Sequence, residues 1–327
     1  MRIAVVGAGS WGTAFASHLA GNGHDVVLLA RDPAQATAIE ASRENARYLP
    51  GVTIADGVRV AAFAEGVPPA AELVVMAVPS RAFTSVLAGL AVPGDAALLS
   101  LTKGLEPGTG RRLSEAAAEL LGDATRVAVL SGPNHAEEIA RGTPAATVIA
   151  SAPIALAARL QEAVASPLLR VYANADVVGV ELCGAAKNVI ALAAGVSDGL
   201  GFGDNAKAAL ITRGLAEMTR LGASFHADPR TFAGLAGLGD LVATCCSAHS
   251  RNRRAGTLLA EGVPPDEVER RIGMVAEGLT TAPTLHRVAE ARGLELPITD
   301  RVHALLHGEA PLEAVSLLMA REPASEF

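Results

Sequence analysis

Arg2-Ile3-Ala4-Val5-Val6-Gly7-Ala8-Gly9-Ser10-Trp11-Gly12 is the stretch that decides the fold. Its first five residues are mostly apolar without alternation, the pattern of a strand buried on both faces. The next six spell G-x-G-x-x-G, and residues 11–22 predict a helix closed by Gly21-Asn22-Gly23. A second apolar run, 25–30, comes directly after. Strand, glycine loop, helix and strand is the context in which this spacing binds a dinucleotide. Gly7 permits the tight turn, Gly9 lets the backbone approach a pyrophosphate, and Gly12 lets the helix pack closely on the strand. The helix start at Ser10 and Trp11 offers free N–H groups to the phosphates. Arg31 stands at the end of the second strand, where an acidic residue would take the ribose 2′-hydroxyl of NAD. An arginine there suits the 2′-phosphate of NADP, so the sequence predicts NADPH as the preferred cofactor and NADH as the weaker one.

The alternation continues beyond this unit. Strands are predicted over 72–78, 96–101, 126–130 and 146–150, all rich in valine, leucine and alanine. This is the pattern of a parallel, doubly wound α/β sheet. Past residue 176 the strand signal fades, and helices are predicted over 177–196, 206–221, 251–261, 281–292 and 312–321. The expected fold is an N-terminal Rossmann-like doubly wound sheet, residues 1–176, followed by an all-α domain, residues 177–327. A length of 327 residues suits two domains. No low-complexity linker separates them, so a packed junction with the site between the domains is expected.

Composition narrows the function classes. Hydrophobic residues make up 50% of the chain, enough for a packed core and unlike a disordered or collagen-like chain. The mean hydropathy of +0.34 raises the question of a membrane. The longest apolar runs, such as 73–78 and 189–196, fall short of the ~20 residues that a span needs. A net charge of −7 and a pI near 5.7 argue against nucleic acid as a partner. Met1-Arg2 and the apolar residues after it look like a leader, but Gly7, Gly9 and Gly12 interrupt them. Cys183, Cys245 and Cys246 have neither metal-ligand spacing nor a disulfide framework, which fits reduced thiols in the cytoplasm.

The basic residues are lopsided: of 27, only Lys103, Lys187 and Lys207 are lysine. A genome biased against lysine codons explains the ratio, but not which lysines remain. Arginine cannot lose its proton near neutral pH, whereas lysine can. Lys103 follows one predicted strand, Ser80 follows another, and Gly132-Pro133-Asn134 a third. Such strand ends share one edge of the sheet, where ligands bind. Lys187 lies in the apolar segment 182–192, a helix expected to be buried. A buried lysine is costly unless it is paired or neutralised, and both conditions suit proton transfer. Ser250-Arg251-Asn252-Arg253-Arg254 opens a helix after a polar loop. Its N–H groups, hydroxyl, amide and guanidinium together suit a phosphate.

These segments closely resemble those of the NAD(P)-dependent sn-glycerol-3-phosphate dehydrogenases of the bacterial type. The resemblance runs through residues 7–14, Tyr48-Leu49-Pro50-Gly51, Thr102-Lys103-Gly104-Leu105, Ser131-Gly132-Pro133 and Ala185-Ala186-Lys187-Asn188. It continues through residues 199–214 and 234–240, Ser250-Arg251-Asn252 and Val275-Ala276-Glu277-Gly278. It implies reversible reduction of dihydroxyacetone phosphate to sn-glycerol 3-phosphate by hydride transfer to the C2 carbonyl. Lys187 is the implied general acid and base. Lys103, Gly132, Asn134, Lys187, Asp240, Ser250, Arg251 and Asn252 are the implied substrate residues. Gly7, Gly9, Ser10, Trp11, Gly12, Arg31, Tyr48, Lys103, Ala136, Arg251, Val275 and Glu277 are the implied cofactor residues. A cytoplasmic homodimer supplying glycerol phosphate to phospholipid synthesis, with no metal, is the accompanying expectation. There is one departure. The family usually follows Ser-Gly-Pro with Ser or Thr, an apolar or aromatic residue and Ala, whereas this chain has Asn134-His135-Ala136. A β-hydroxyacid dehydrogenase would also use a lysine, but the 250–252 segment favours a phosphorylated substrate. A catalytically dead cofactor sensor would not need Lys187. Lys207 lies in a matching segment without an implied role.

Overall fold

One sheet of eight strands carries the first half of the chain: β1 (Arg2–Val6), β2 (Asp25–Ala30), β3 (Val58–Ala62), β4 (Leu73–Met76), β5 (Ala97–Ser100), β6 (Val127–Ser131), β7 (Ala145–Ala150) and β8 (Leu169–Asn174). The structure is a computed structural model and describes residues 1–319. The strands lie in the order β3-β2-β1-β4-β5-β6-β7-β8, whose first six positions follow the dinucleotide-binding order with its switch point beside β1. From β3 to β6 all pairings are parallel, with Val5 opposite both Leu28 and Val75. Alternate residues go to opposite faces. Ile3 and Val5 pack with Phe15 and Leu19 of the helix Ser10–Gly21, and Ala4 and Val6 with Phe83 and Leu87 of the helix Ser80–Ala88. Both faces are covered, which is why the inner strands read as unbroken apolar runs.

The sheet is not parallel throughout, contrary to the sequence expectation. β7 runs antiparallel to β6, with Leu130 opposite Ile149, and β8 runs parallel to β7. The cause is the connection. Between β6 and β7 the only helix is Ala136–Ala140. Its five residues span about 7.5 Å, half the roughly 16 Å of a five-residue strand. With no longer helix in the connection, the chain does not cross back over the sheet, and β7 starts at the edge where β6 ended. Strands β3 and β8 escape the sequence reading because they are the outermost strands. Exposed Arg59, and exposed Arg170 and Tyr172, interrupt their apolar runs.

The second half is helical. Asp176 caps the 23-residue helix Val177–Gly199, its Oδ1 accepting from Gly179 N at 2.9 Å. Helices Asp204–Ser224, Asp240–Cys246, Arg251–Ala260, Glu277–Arg292 and Pro297–Leu306 surround it. The last described helix is Pro311–Met319, and the expected continuation to Arg321 lies outside the described residues. One apolar element is longer than the uninterrupted runs of the sequence suggest. Val177–Gly199 is long and apolar enough to cross a membrane, with a mean hydropathy of 1.6, but 78% of that stretch is buried inside the protein. Glu181, Lys187 and Asn188 break its apolar runs in the sequence, and all three are buried. It is a core helix. The helix Arg251–Ala260 crosses it at backbone contact. A Cβ on Gly195 would lie 1.9 Å from Arg253 O, and one on Gly256 2.0 Å from Leu192 O. These glycines set how deeply the Ser250 end is seated. The three cysteines are free thiols, with Cys183 and Cys245 buried and Cys246 exposed.

Candidate active site

The glycine loop lies between β1 and its helix. Gly7 has φ +112°, and a Cβ there would meet Ala77 O at 2.5 Å. At Gly12 a Cβ would meet Gly7 O at 1.9 Å. Gly9 is different, because nothing lies within 4 Å of where its Cβ would be. Buried Asn45 donates to Ala8 O (2.9 Å) and Thr13 Oγ1 (2.8 Å), and Gln35 donates to the same carbonyl (3.3 Å). With that carbonyl satisfied, the loop offers the first N–H groups of its helix, which suit a pyrophosphate. The Trp11 indole N–H is buried without a partner among the described residues, a donor suited to a polar ligand group. These features fit a dinucleotide. Ala14 of the same helix packs against Leu49, next to Tyr48, and against Ala136. Tyr48 is half-buried with Arg47 5.0 Å from its ring centre, and Arg31 is exposed just past β2.

Lys187 and Lys103 meet on one carboxylate. Lys187, in the middle of the long helix, donates from Nζ to Asp240 Oδ1 (2.6 Å) and Thr244 Oγ1 (2.8 Å). Lys103, three residues past β5, donates to Asp240 Oδ2 (2.8 Å), Gly132 O (2.9 Å) and Asn134 Oδ1 (2.9 Å). Asp240 heads its own helix immediately after the π-helical turn Leu235–Gly239. Thr244 donates its hydroxyl to Asp240 O (2.6 Å), so its lone pairs face Lys187. Ser131 Oγ and Gly132 N also approach the Asp240 carboxylate, at 3.4 and 3.3 Å. Burial drives the Lys103 ammonium down to about 7, with Asp240 pulling against the shift and Lys187 adding to it. Burial acts to raise the Asp240 carboxyl, but the two ammonium groups overcome it and hold the group below the usual carboxylate range. A buried ammonium held on a fixed carboxylate is the equipment of general acid–base chemistry.

The departure at Asn134-His135 falls inside this network. Asn134 Nδ2 donates to Thr147 Oγ1 (3.1 Å), which leaves its oxygen aimed at Lys103. His135 lies 3.4 Å from Ala243 O, and burial lowers its pKa.

Ser250 caps the helix Arg251–Ala260, its Oγ accepting from Arg253 N at 3.2 Å. Asn252 is buried. It donates to Asn188 Oδ1 (2.8 Å) and accepts from Gly278 N (2.9 Å). Asn188 donates in turn to Gly184 O (3.1 Å) and Lys103 O (3.4 Å). This amide pair ties the Ser250 turn to the Lys187 helix, the Lys103 loop and the start of the helix Glu277–Arg292. Glu277 reaches across to the sheet, accepting from Ser80 N (3.0 Å) and Oγ (2.5 Å). Burial raises its pKa despite those donors and despite the positive charge of Arg251. Arg251 and Val275 are half-buried. Thr244 and Asn45 were not singled out in the sequence. The only trace of Thr244 is its i+4 spacing from Asp240, and Asn45 leaves none.

Two family models, described as the N-terminus and the C-terminus of NAD-dependent glycerol-3-phosphate dehydrogenase, match residues 2–157 and 176–316. A glycerol-3-phosphate dehydrogenase (NAD(P)+) of Parafrankia sp. (strain EAN1pec) is 53% identical over 331 residues, covering 100% of this chain and 99% of its own. The chain belongs to the NAD-dependent glycerol-3-phosphate dehydrogenase family. A second glycerol-3-phosphate dehydrogenase (NAD(P)+), from Chlorobium phaeobacteroides (strain BS1), is 46% identical over 332 residues, 100% of this chain and 99% of its own. The crystal structure of glycerol-3-phosphate dehydrogenase from Coxiella burnetii matches with a TM-score of 0.91 at 41% identity, over 98% of this chain and 99% of that one. The likeness to these dehydrogenases covers both the sheet and the helical half, so the Lys103–Asp240–Lys187 bridge lies within the matched fold.

Proposed function

We propose that the protein interconverts dihydroxyacetone phosphate and sn-glycerol 3-phosphate, using NADPH in preference to NADH. The observation that carries this reading is the buried bridge from Lys103 through Asp240 to Lys187, at the edge of the sheet where the glycine loop also lies. When bound, the nicotinamide supplies or removes a hydride at C2 of the substrate. Lys187 gives its proton to the C2 oxygen as negative charge develops there, and takes it back in the oxidative direction. Asp240 Oδ1 and Thr244 hold its Nζ in place for that transfer. Lys103 adds positive charge beside the same oxygen, a contribution that grows toward the transition state. Gly132 and Asn134 hold Lys103 and face the substrate with it. Ser250, Arg251 and Asn252 bind the substrate phosphate with hydroxyl, guanidinium, amide and helix N–H groups.

Gly7, Gly9, Ser10, Trp11 and Gly12 would hold the cofactor, together with Arg31, Tyr48, Lys103, Ala136, Arg251, Val275 and Glu277. Arg31 at the end of β2 supports the NADPH preference. A division at residue 176, a homodimer, a cytoplasmic location and a supply of glycerol phosphate for phospholipids complete the proposal. Full-length similarity to the named dehydrogenases supports it. The test is the oxidation of NADPH followed in absorbance with dihydroxyacetone phosphate, and then with unphosphorylated dihydroxyacetone. Turnover is expected with the first and little with the second. Equal reduction of both would refute the phosphate site.

A further inference from the structure

Lys207 is the one lysine without a part in this reading, yet it is firmly held. It projects from the first turn of the helix Asp204–Ser224, where its neighbours are exposed, but its own side chain is only 16% exposed and Nζ lies 2.8 Å from Asp198 Oδ1. The other oxygen of Asp198, near the end of the long helix, accepts from Arg253 Nε at 2.5 Å. Burial acts to raise the Asp198 carboxyl, and its bonds to Lys207 and Arg253 more than reverse the effect. Arg253 belongs to the first turn of the helix that Ser250 caps. Its backbone N–H donates to Ser250 Oγ (3.2 Å) and its Nη1 to Ser247 O (3.4 Å). The same Ser247 carbonyl accepts from Ser250 N (3.3 Å). A continuous line of charged and polar contacts therefore runs from Lys207 through Asp198 and Arg253 to the 247–250 turn.

We propose that Lys207 is a positioning residue for the substrate phosphate. Through Asp198 it fixes Arg253, and so holds the 247–250 turn in the shape that presents Ser250 and Arg251 to a phosphate. The inference rests on the phosphate-site reading above. A compact ammonium suits this place, because a guanidinium already occupies the neighbouring carboxylate oxygen. Lys207 does not touch the substrate. Its loss relaxes the anion site and leaves the proton-transfer group in place.

The experiment compares full-length Lys207→Met, Lys207→Arg and Arg251→Ala with wild type. It measures reduction of dihydroxyacetone phosphate, reduction of phosphate-free dihydroxyacetone, and inhibition by inorganic phosphate. Lys207→Met is expected to raise the KM for dihydroxyacetone phosphate about tenfold, as loss of one charge-assisted hydrogen bond does. Inhibition by inorganic phosphate weakens in parallel. The kcat stays within about twofold of wild type, and the slow reduction of dihydroxyacetone is unchanged. Lys207→Arg keeps the charge but not the compact shape, and restores only part of the affinity. Asp198→Asn keeps the shape without the charge and reads the same link if Lys207→Met does not fold. An unchanged KM in folded Lys207→Met, or an equal loss with both substrates, overturns the positioning role. If Arg251→Ala also leaves the KM for dihydroxyacetone phosphate unchanged, the phosphate-site reading itself fails. An effect at Arg251 with none at Lys207 overturns the positioning role alone.

Discussion

Asp240 holds Lys187 by a 2.6 Å bond between side chains that are 3% and 6% exposed. A buried ammonium depends on such a partner, because removing one member of a buried pair leaves an uncompensated charge. Asp240→Asn keeps the shape of the site and takes away the negative charge between the two lysines. We expect kcat to fall about a hundredfold or more, the usual scale for a lost acid–base group, with NADPH affinity little changed. Lys187→Met should lose as much. Stopped-flow cofactor binding and steady-state turnover separate the two effects. Near-native turnover by folded Lys187→Met would falsify the acid–base assignment.

Lys103 introduces a pH dependence. With its ammonium brought down to about 7, its charge is present below that pH and lost above it. In the proposed mechanism, reduction of dihydroxyacetone phosphate draws on that charge beside the developing alkoxide, so kcat/KM in the reductive direction should fall as pH rises through about 7. Lys103→Arg cannot lose its proton in this range. The variant is expected to be slower overall, but its profile should stay flat past neutrality. A descending limb at the same pH in wild type and Lys103→Arg would assign the titration to another group.

The legible parts of this site were those whose chemistry is written in local sequence. The glycine loop is fixed by Gly7, Gly9 and Gly12 acting within six residues. Lys187 stood out because a lysine in an apolar helix needs an explanation wherever the helix packs. The reversal at β7 was not legible, because it follows from how far a short connection reaches. Nor were β3 and β8, whose alternating exposure reflects their place at the ends of the sheet. The resemblance already grouped Lys103, Lys187 and Asp240 at one substrate site. That both ammonium groups share the Asp240 carboxylate, with Thr244 beside Lys187, could only be seen after folding, since no spacing relates residues on a loop and two separate helices. The Asn188–Asn252 pair lay within two recognised motifs, yet only the structure joined them.

Glu217 gives a stability test away from the site. It is 4% exposed. Its carboxylate accepts from the backbone N–H groups of Ile298 and Thr299 and from Thr299 Oγ1, at the start of the helix Pro297–Leu306. Burial pushes its pKa up to about 7 from the ordinary 4.5, against the pull of those donors. The folded value lies above the unfolded one, so the native state keeps a proton that the unfolded chain has released. That contribution is whole below 4.5 and is lost as pH rises through about 7, a change on the order of 3 kcal/mol. Glu217→Gln cannot ionise. Its stability relative to wild type should therefore improve by that order between about pH 4.5 and about pH 8. Denaturant titrations at the two pH values check this, and a constant difference would contradict it.

On the proposed reading Arg31 sets the choice of cofactor, by a mechanism that leaves its own trace. It is exposed just past β2, so its attraction for a 2′-phosphate acts close to solvent and is screened by salt. Arg31→Ala should lower kcat/KM for NADPH about tenfold, the scale of a charge-assisted phosphate contact, and leave NADH nearly unchanged. The KM for NADPH should rise with ionic strength in wild type, and more weakly in the variant. The two measurements are independent, because a variant that distorted the glycine loop would damage NADH use equally and would not change the salt dependence. Wild-type kcat/KM for NADH above that for NADPH would remove the preference at once. An unchanged ratio in Arg31→Ala would move its origin to another residue near the ribose.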